Sequence, residues 1–209
     1  MKGVHRANSV SWDPHKLLGA PIQCSMFLTR EKNLLQPCNS TNAYYLFQTD
    51  KHYDVSIDMG EKSVQCTRKA DVFKFWLMLK ARGKKNIADL VDNALKCTAD
   101  TVEKLKTRDG FRLLLDKFEY TSVCFWYIPR IMRGQPETLE WWNQIYKISR
   151  LIMEKVKKNG RAMINSSTIP YKNVGNCMRI VNTCHPIPNN ESMDAIIAEI
   201  ELVGEQIIC

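Results

Sequence analysis

The sequence predicts an α/β protein in two parts: the closing portion of an α/β domain over residues 1–83, then a smaller α+β domain over residues 84–209. The chain begins strand-rich, with Ser9-Val10-Ser11-Trp12 and the mixed apolar run Gln23 to Arg30. From about residue 70 the order becomes helix, helix, strand, strand, helix, strand, strand, helix, which suits helices layered on a sheet of hairpins. Between the first two of these helices stands Gly83, where a glycine just past a C-terminus would stop the first.

Residues 8–12 and 23–30 read as strands, separated by Asp13-Pro14-His15-Lys16 and the residues that follow. A short helix is expected over 31–36, ended by Pro37. Residues 37–68 show no clear period, and so long a stretch inside a compact domain is usually functional. Ala70 to Arg82 carries Val72, Phe73, Phe75, Trp76, Leu77 and Leu79, which predicts a largely buried helix. Asn86 can cap the next helix, whose Ile87, Leu90, Val91, Ala94, Leu95, Val102 and Leu105 keep a helical period.

Asp109-Gly110 turns the chain. Phe111 to Leu115 and Val123 to Pro129 read as strands, and Pro136-Glu137 opens a helix striped by Trp141, Trp142, Ile145, Ile148, Ile152 and Val156 and ended by Gly160. Paired tryptophans at helical spacing are more often core or interface than a ligand platform. Ala162 to Ile169 and Cys177 to Thr183 are two further strands. Asn190 caps a last helix carrying Met193, Ile196, Ile197, Ile200 and Val203.

Composition narrows the function classes. Lys+Arg is 30 against Asp+Glu 22, a net charge of +8, but the basic residues are scattered and accompany no nucleic-acid-binding signature. No apolar run reaches the length of a membrane span and no signal peptide is expected. The eight cysteines form no C-x-x-C pair, so no metal site is expected, and they read as reduced thiols of a cytoplasmic protein. His15 and Lys16 are presented together where a strand ends, a place where ligands sit in α/β sheets. By itself such a lysine reads as an ordinary solvated cation, and spacing does not overturn that.

Longer motifs do. Asn8 to Arg30 (NSVSWDPHKLLGAPIQCSMFLTR), Tyr45-Leu46-Phe47-Gln48, Asp50 to Asp54, Lys62 to Cys66, Asp71 to Met78 (DVFKFWLM), Val123 to Pro129 (VCFWYIP) and Met178-Arg179-Ile180 follow one another through nearly the whole chain. In that order they resemble the group II pyridoxal-phosphate (PLP) amino acid decarboxylases, and within them the animal branch acting on glutamate, cysteine sulfinate and aspartate. The resemblance implies the C-terminal part of a PLP-dependent transferase-like (fold type I) large domain followed by the small domain, with pyridoxal 5'-phosphate as cofactor. It implies decarboxylation of an acidic L-amino acid. The segment Arg130 to Trp142 leans toward cysteine sulfinate or aspartate, which would give hypotaurine or β-alanine, and glutamate is the alternative.

The resemblance also implies roles. Lys16 would hold the cofactor covalently from a buried position. His15 would hydrogen-bond its phosphate. Asp13 would stand at the same phosphate, where the most similar members carry Asn and a carboxylate is repulsive. Tyr45 would return a proton to Cα after CO₂ leaves, from a mobile loop that acts across a dimer interface, so a homodimer is implied. Arg179 would grip the substrate α-carboxylate with its planar fork. Cys177-Met178 replaces a pair of phenylalanines, Thr67 a glycine and Met59 a threonine. The family's matching residues lie well inside longer chains, so the sequence reads as a C-terminal fragment or an incomplete gene model. The residues that contact the cofactor ring are expected upstream, and a truncated non-catalytic remnant is the second reading.

Overall fold

The computed structural model describes residues 2–65, 68 and 71–207; Cys66 and Thr67, singled out above, lie outside them. The chain divides into two compact units, Met1–Ile87 and Ala88–Cys209. In the first, β1 (Ser9–Trp12) and β2 (Met26–Thr29) pair antiparallel, with Ser9 opposite Thr29 and Trp12 opposite Met26. The short helix α1 (Leu35–Asn39) comes later than the sequence predicts, and Pro37 lies inside it instead of ending it. A first-turn N–H has no carbonyl partner in any helix, so the missing proline donor is tolerated there. The 3₁₀ turns Val55–Ile57 and Gly60–Lys62 punctuate the stretch without period. Gly60 is needed in this packing, because a Cβ there would stand 2.3 Å from the Phe47 ring.

The helix α2 (Asp71–Thr107) is continuous except at Gly83, whose φ of 70° and ψ of 163° break the helical path. Only glycine takes that backbone without strain, so the two predicted helices form one broken element. The expectation that its first half is largely buried fails. Met78 is buried and Phe75 meets Trp12 edge-on at 5.3 Å, but Val72 is 68% exposed, Phe73 58% and Trp76 50%. Apolar residues occur on more than one side of this helix, and Trp12 of β1 packs on the side carrying Phe75.

Among the described residues of the second unit, β3 (Phe111–Leu113), β4 (Ser122–Tyr127), β5 (Asn165–Ile169) and β6 (Val174–Val181) form an antiparallel sheet in the order β3-β4-β6-β5. Side chains alternate across a strand, and Val123, Phe125 and Tyr127 of β4 share one face with Met178 and Ile180 of β6. All five are buried. Against them lie α3 (Leu139–Lys158) and α4 (Asn190–Gln206). The α3 stripe Trp141, Ile145, Ile148, Ile152 and Val156 is buried, and so is the α4 stripe Met193, Ile197, Ile200 and Val203. Burying each such side chain contributes roughly 1.5–3 kcal/mol. Both tryptophans join this packing: Trp141 Nε1 donates to the Met132 carbonyl at 3.0 Å, and Trp142 meets Trp126 at 5.1 Å.

The caps fall one or two residues from the predicted places. Thr138 Oγ1 accepts from the Trp141 N–H at 3.2 Å and starts α3, so Pro136 and Glu137 lie before the helix. Asn189, not Asn190, caps α4 through the Ser192 N–H at 2.9 Å. Both neighbours have a capping side chain, and only the preceding residue has the extended backbone that a cap requires.

Gly204 of α4 lies against β4. A Cβ there would approach the Tyr127 ring to 2.4 Å, and that ring is tethered because its hydroxyl donates to Glu205 Oε1 at 2.6 Å. Helix propensity favours alanine over glycine by about 1 kcal/mol, while overpacking costs about 1–3 kcal/mol. Gly204→Ala is expected to lower the urea midpoint of unfolding, and an increased midpoint would show that the ring gives way.

Candidate active site

The Lys16 turn follows from two reversals after β1. Lys16 N–H donates to the Asp13 carbonyl at 3.0 Å, and Gly19 N–H donates to the Lys16 carbonyl at 3.0 Å, with Gly19 at a φ of 67°. Ala20 N–H reaches back to the Pro14 carbonyl at 3.0 Å. This path buries Pro14, Leu17, Leu18 and Ala20 and turns Lys16 outward, its side chain 69% exposed. The implied buried lysine is therefore corrected: Lys16 is exposed, because the apolar residues of its own turn take the interior.

Three of the candidate residues meet here. Lys16 Nζ pairs with Asp13 Oδ2 at 2.8 Å, and Ser25 Oγ donates to Asp13 Oδ1 at 2.7 Å. These two hydrogen bonds, Lys16 first, hold the Asp13 carboxyl below its ordinary range. His15 Nδ1 lies 2.6 Å from the Cys24 carbonyl oxygen. The Cys24 N–H also points at Nδ1, at 3.3 Å; the carbonyl contact is the shorter and a carbonyl only accepts, so it favours the tautomer with the proton on Nδ1. The His15 N–H donates to the same carbonyl at 3.3 Å. The ring is thus fixed by backbone, with its outer nitrogen available to a ligand.

A second layer, not visible in the sequence, supports the turn. Asp71, at the start of α2, accepts from Arg68 Nε at 3.0 Å and from the Ser25 N–H at 3.3 Å, and Lys74 Nζ lies 3.5 Å from its other oxygen. Lys74 also donates to the Gln23 carbonyl. Cys24, fully buried, donates its thiol proton to the Asp71 carbonyl at 3.5 Å. The one legible sign was an acidic residue in a first helical turn, where the helix dipole favours it; its partner Ser25 is 46 residues away in sequence.

Tyr45 lies in the first unit on a short turn closed by the Leu46 and Phe47 N–H groups donating to the Ala43 carbonyl at 2.9 Å each. Its ring is 86% exposed. The segment around it is pinned elsewhere, by Ser40 Oγ on Glu61 at 2.7 Å and Lys51 on Asp58 at 2.8 Å. Met59 is exposed. Arg179 belongs to the second unit. It stands on β6 opposite Cys124 of β4 and Asn165 of β5, and its Nε donates to Ser122 Oγ at 2.8 Å, which sets the plane of the guanidinium. Cys177 and Met178, which precede it, are both fully buried.

Residues 1–128 match the pyridoxal-dependent decarboxylase conserved domain. The chain belongs to the pyridoxal-dependent decarboxylase family. It is 44% identical over 206 residues to acidic amino acid decarboxylase GADL1 of Bos taurus and 42% identical over 206 residues to that of Homo sapiens, each time over 98% of this chain and 39% of the relative. The chain thus spans about two fifths of the length of these curated relatives. The crystal structure of mouse CSAD superposes with a TM-score of 0.85 at 37% identity, covering 98% of this chain and 41% of that one. Oryza sativa TDC with PLP and tryptamine shares the fold, with a TM-score of 0.80 at 18% identity, covering 100% of this chain and 41% of that one. The fold is therefore α/β, of the PLP-dependent decarboxylase type, and pyridoxal 5'-phosphate is the family's cofactor.

The donor set fits that cofactor in two of its three members. Lys16 offers an accessible amine for a carbonyl carbon, and His15 a backbone-fixed imidazole for a phosphate. Asp13 opposes the phosphate by its charge, but both its oxygens are already engaged.

The Asp71 cluster gives a test by pH. Burial works against its charge, but the hydrogen bonds from Arg68 and Ser25 and the nearby cations outweigh this and lower its pKa. A carboxylate depressed on folding contributes stability above its unfolded value of about 3.9, and that contribution is lost as pH falls through the folded value. Asp71→Asn is expected to cost about 1.5–3 kcal/mol at pH 7, the range for a hydrogen bond to a charged group. In urea titrations the gap to the unmodified protein should narrow below about pH 4, and an equal gap at pH 7 and pH 3 would exclude the charge as its source.

Proposed function

We propose that this chain carries the lysine-bearing part of a carboxy-lyase that removes CO₂ from an acidic L-amino acid. Cysteine sulfinate or aspartate is favoured, giving hypotaurine or β-alanine, with glutamate as the alternative. The observation that carries this reading is the 44% identity over 98% of the chain to an acidic amino acid decarboxylase, joined to the lysine–histidine turn. Residues 1–83 are the closing part of the cofactor-binding domain and 84–209 the small domain. The working enzyme is a cytoplasmic homodimer. Among the described residues no helix is long and apolar enough to cross a membrane.

The cofactor, when bound, supplies an electron sink for the charge left at the substrate Cα as CO₂ departs. Lys16 would be its covalent anchor, for which its ammonium must leave the ion pair with Asp13 and give up a proton. His15, oriented by the Cys24 carbonyl, would hold the phosphate through its outer nitrogen. Arg179 grips the substrate α-carboxylate with its terminal nitrogens while Ser122 holds Nε. Tyr45 delivers a proton to Cα from its exposed turn, which water alone would do less selectively. A second reading, a non-catalytic remnant, draws on Asp13, whose carboxylate repels a phosphate.

Incubation of the purified protein with pyridoxal 5'-phosphate, borohydride reduction and peptide mass spectrometry should place a pyridoxyl group on Lys16, and Lys16→Ala should remove it. CO₂ release from cysteine sulfinate, aspartate and glutamate ranks the substrates. Tyr45→Phe is expected to slow release by about 10²–10⁴-fold, the usual worth of a positioned acid. A tag on Lys16 without CO₂ from any of the three would favour the remnant. A tag elsewhere would overturn the site.

A further inference from the structure

Arg179 is half-buried on a face that offers it no counter-charge. Its direct neighbours across the sheet are Cys124 of β4 and Asn165 of β5, and neither is an acid. Among the described residues no carboxylate pairs with it, and its Nε alone has an acceptor, the Ser122 hydroxyl at 2.8 Å. A guanidinium carries five N–H donors in a rigid planar fork. One is spent on Ser122, and the four on Nη1 and Nη2 remain for a ligand. A half-buried cation left in this state is open to an anion, and its fork matches a carboxylate through two parallel hydrogen bonds.

Ser122 is itself held in place. It begins the pairing of β4 with β6, opposite Val181, which makes Arg179 its diagonal neighbour on the same face. The flanking residues extend the lock, since Asn182 N–H donates to the Thr121 carbonyl at 2.9 Å. Asn182 is buried, and its side-chain amide donates to Thr98 Oγ1 of α2 at 3.2 Å. Thr98 gives its own proton to the Ala94 carbonyl at 2.8 Å, so its oxygen can accept. Buried polar groups satisfied in this way rigidify what they join. The hydroxyl that Arg179 meets therefore stands on a fixed strand end.

We propose that Ser122 is a positioning residue for the substrate α-carboxylate, acting through Arg179. The inference rests on the reading of Arg179 as the group that grips that carboxylate. By accepting from Nε, the Ser122 oxygen stops rotation about the Cδ–Nε bond and fixes the guanidinium plane. With the Nε edge of the fork taken, the end formed by Nη1 and Nη2 is what a carboxylate can engage at two points. Alanine at this position removes the acceptor and lets the plane turn. Threonine keeps the hydroxyl on a β-branched stem, which a strand accepts. The effect is confined to ligands that carry an α-carboxylate, because Ser122 reaches the substrate only through the arginine.

L-Aspartate and β-alanine separate this role from a merely structural one, because they differ by the α-carboxylate alone. Binding of each to the full chain, without added pyridoxal 5'-phosphate, is measured by calorimetry. Ser122→Ala is expected to weaken aspartate binding about tenfold, the order of a hydrogen bond made with a charged group, and to leave β-alanine binding unchanged. Ser122→Thr should restore aspartate binding. In NMR spectra of the isotope-labelled chain, the Arg179 Nε–H should exchange with water faster in Ser122→Ala and slow again in Ser122→Thr. Equal weakening of both ligands, unchanged aspartate binding or an unmoved Nε–H exchange rate overturns the proposal. Arg179→Lys tells that failure from failure of the underlying reading. If it leaves aspartate binding intact, or if the unmodified chain binds no aspartate, Arg179 is not the carboxylate grip and the proposal falls with it.

Discussion

The pairing of β4 with β6 is the constraint on which the second unit rests. Its register, Ser122 opposite Val181 through Phe125 opposite Met178, divides the side chains by chemistry. One face receives Val123, Phe125, Met178 and Ile180 and is closed by α3 and α4. The other receives Ser122, Cys124, Cys177 and Arg179. A slip of one residue would exchange the faces, sending a guanidinium into a fully apolar layer at a cost no partner there could offset. The buried isoleucines of α3 and α4 therefore do more than stabilise the unit. By fixing the register they aim Arg179.

The first unit is organised differently. Its ladder is two strands of four residues each, which is marginal alone. Its order comes from backbone and carboxylate anchors: the Cys24 carbonyl receives both His15 Nδ1–H and His15 N–H, and Asp71 ties β2's approach to the start of α2. The anchors are graded by burial. The Asp71 side chain is 14% exposed and shared among Arg68, Lys74 and Ser25. The Lys16–Asp13 pair is exposed, and exposed ion pairs contribute little and open easily. A firmly anchored base thus lies under a loosely held lysine.

Periodicity made most of this fold legible. The α3 and α4 stripes, the four strands of the second sheet and the break at Gly83 all follow from apolar spacing and local turn chemistry, which act within a few residues. The failures are of two kinds. Pro37 and Asn190 are local ambiguities, since a first helical turn tolerates a proline and either of two adjacent asparagines can cap a helix, whereas the exposure of Val72, Phe73 and Trp76 depends on which neighbour the chain supplies from a distance. The candidate site divides the same way. Lys16 and His15 could be picked out only through resemblance, since a lysine at a strand end is ordinary. The support from Asp71, Arg68 and Ser25 requires the tertiary path, which no spacing rule provides.

Asp13 shows how the turn reconciles a charge that its resemblance to the family disfavours. Its two oxygens face two donors, an ammonium and a hydroxyl, and these keep it ionised. Covalent use of Lys16 would withdraw the ammonium and leave the carboxylate with Ser25 alone beside a phosphate. The ring of His15 keeps one orientation, because its Nδ1 is committed to the Cys24 carbonyl, so the Asp13 charge at this turn is met through hydrogen bonds by Lys16 and Ser25.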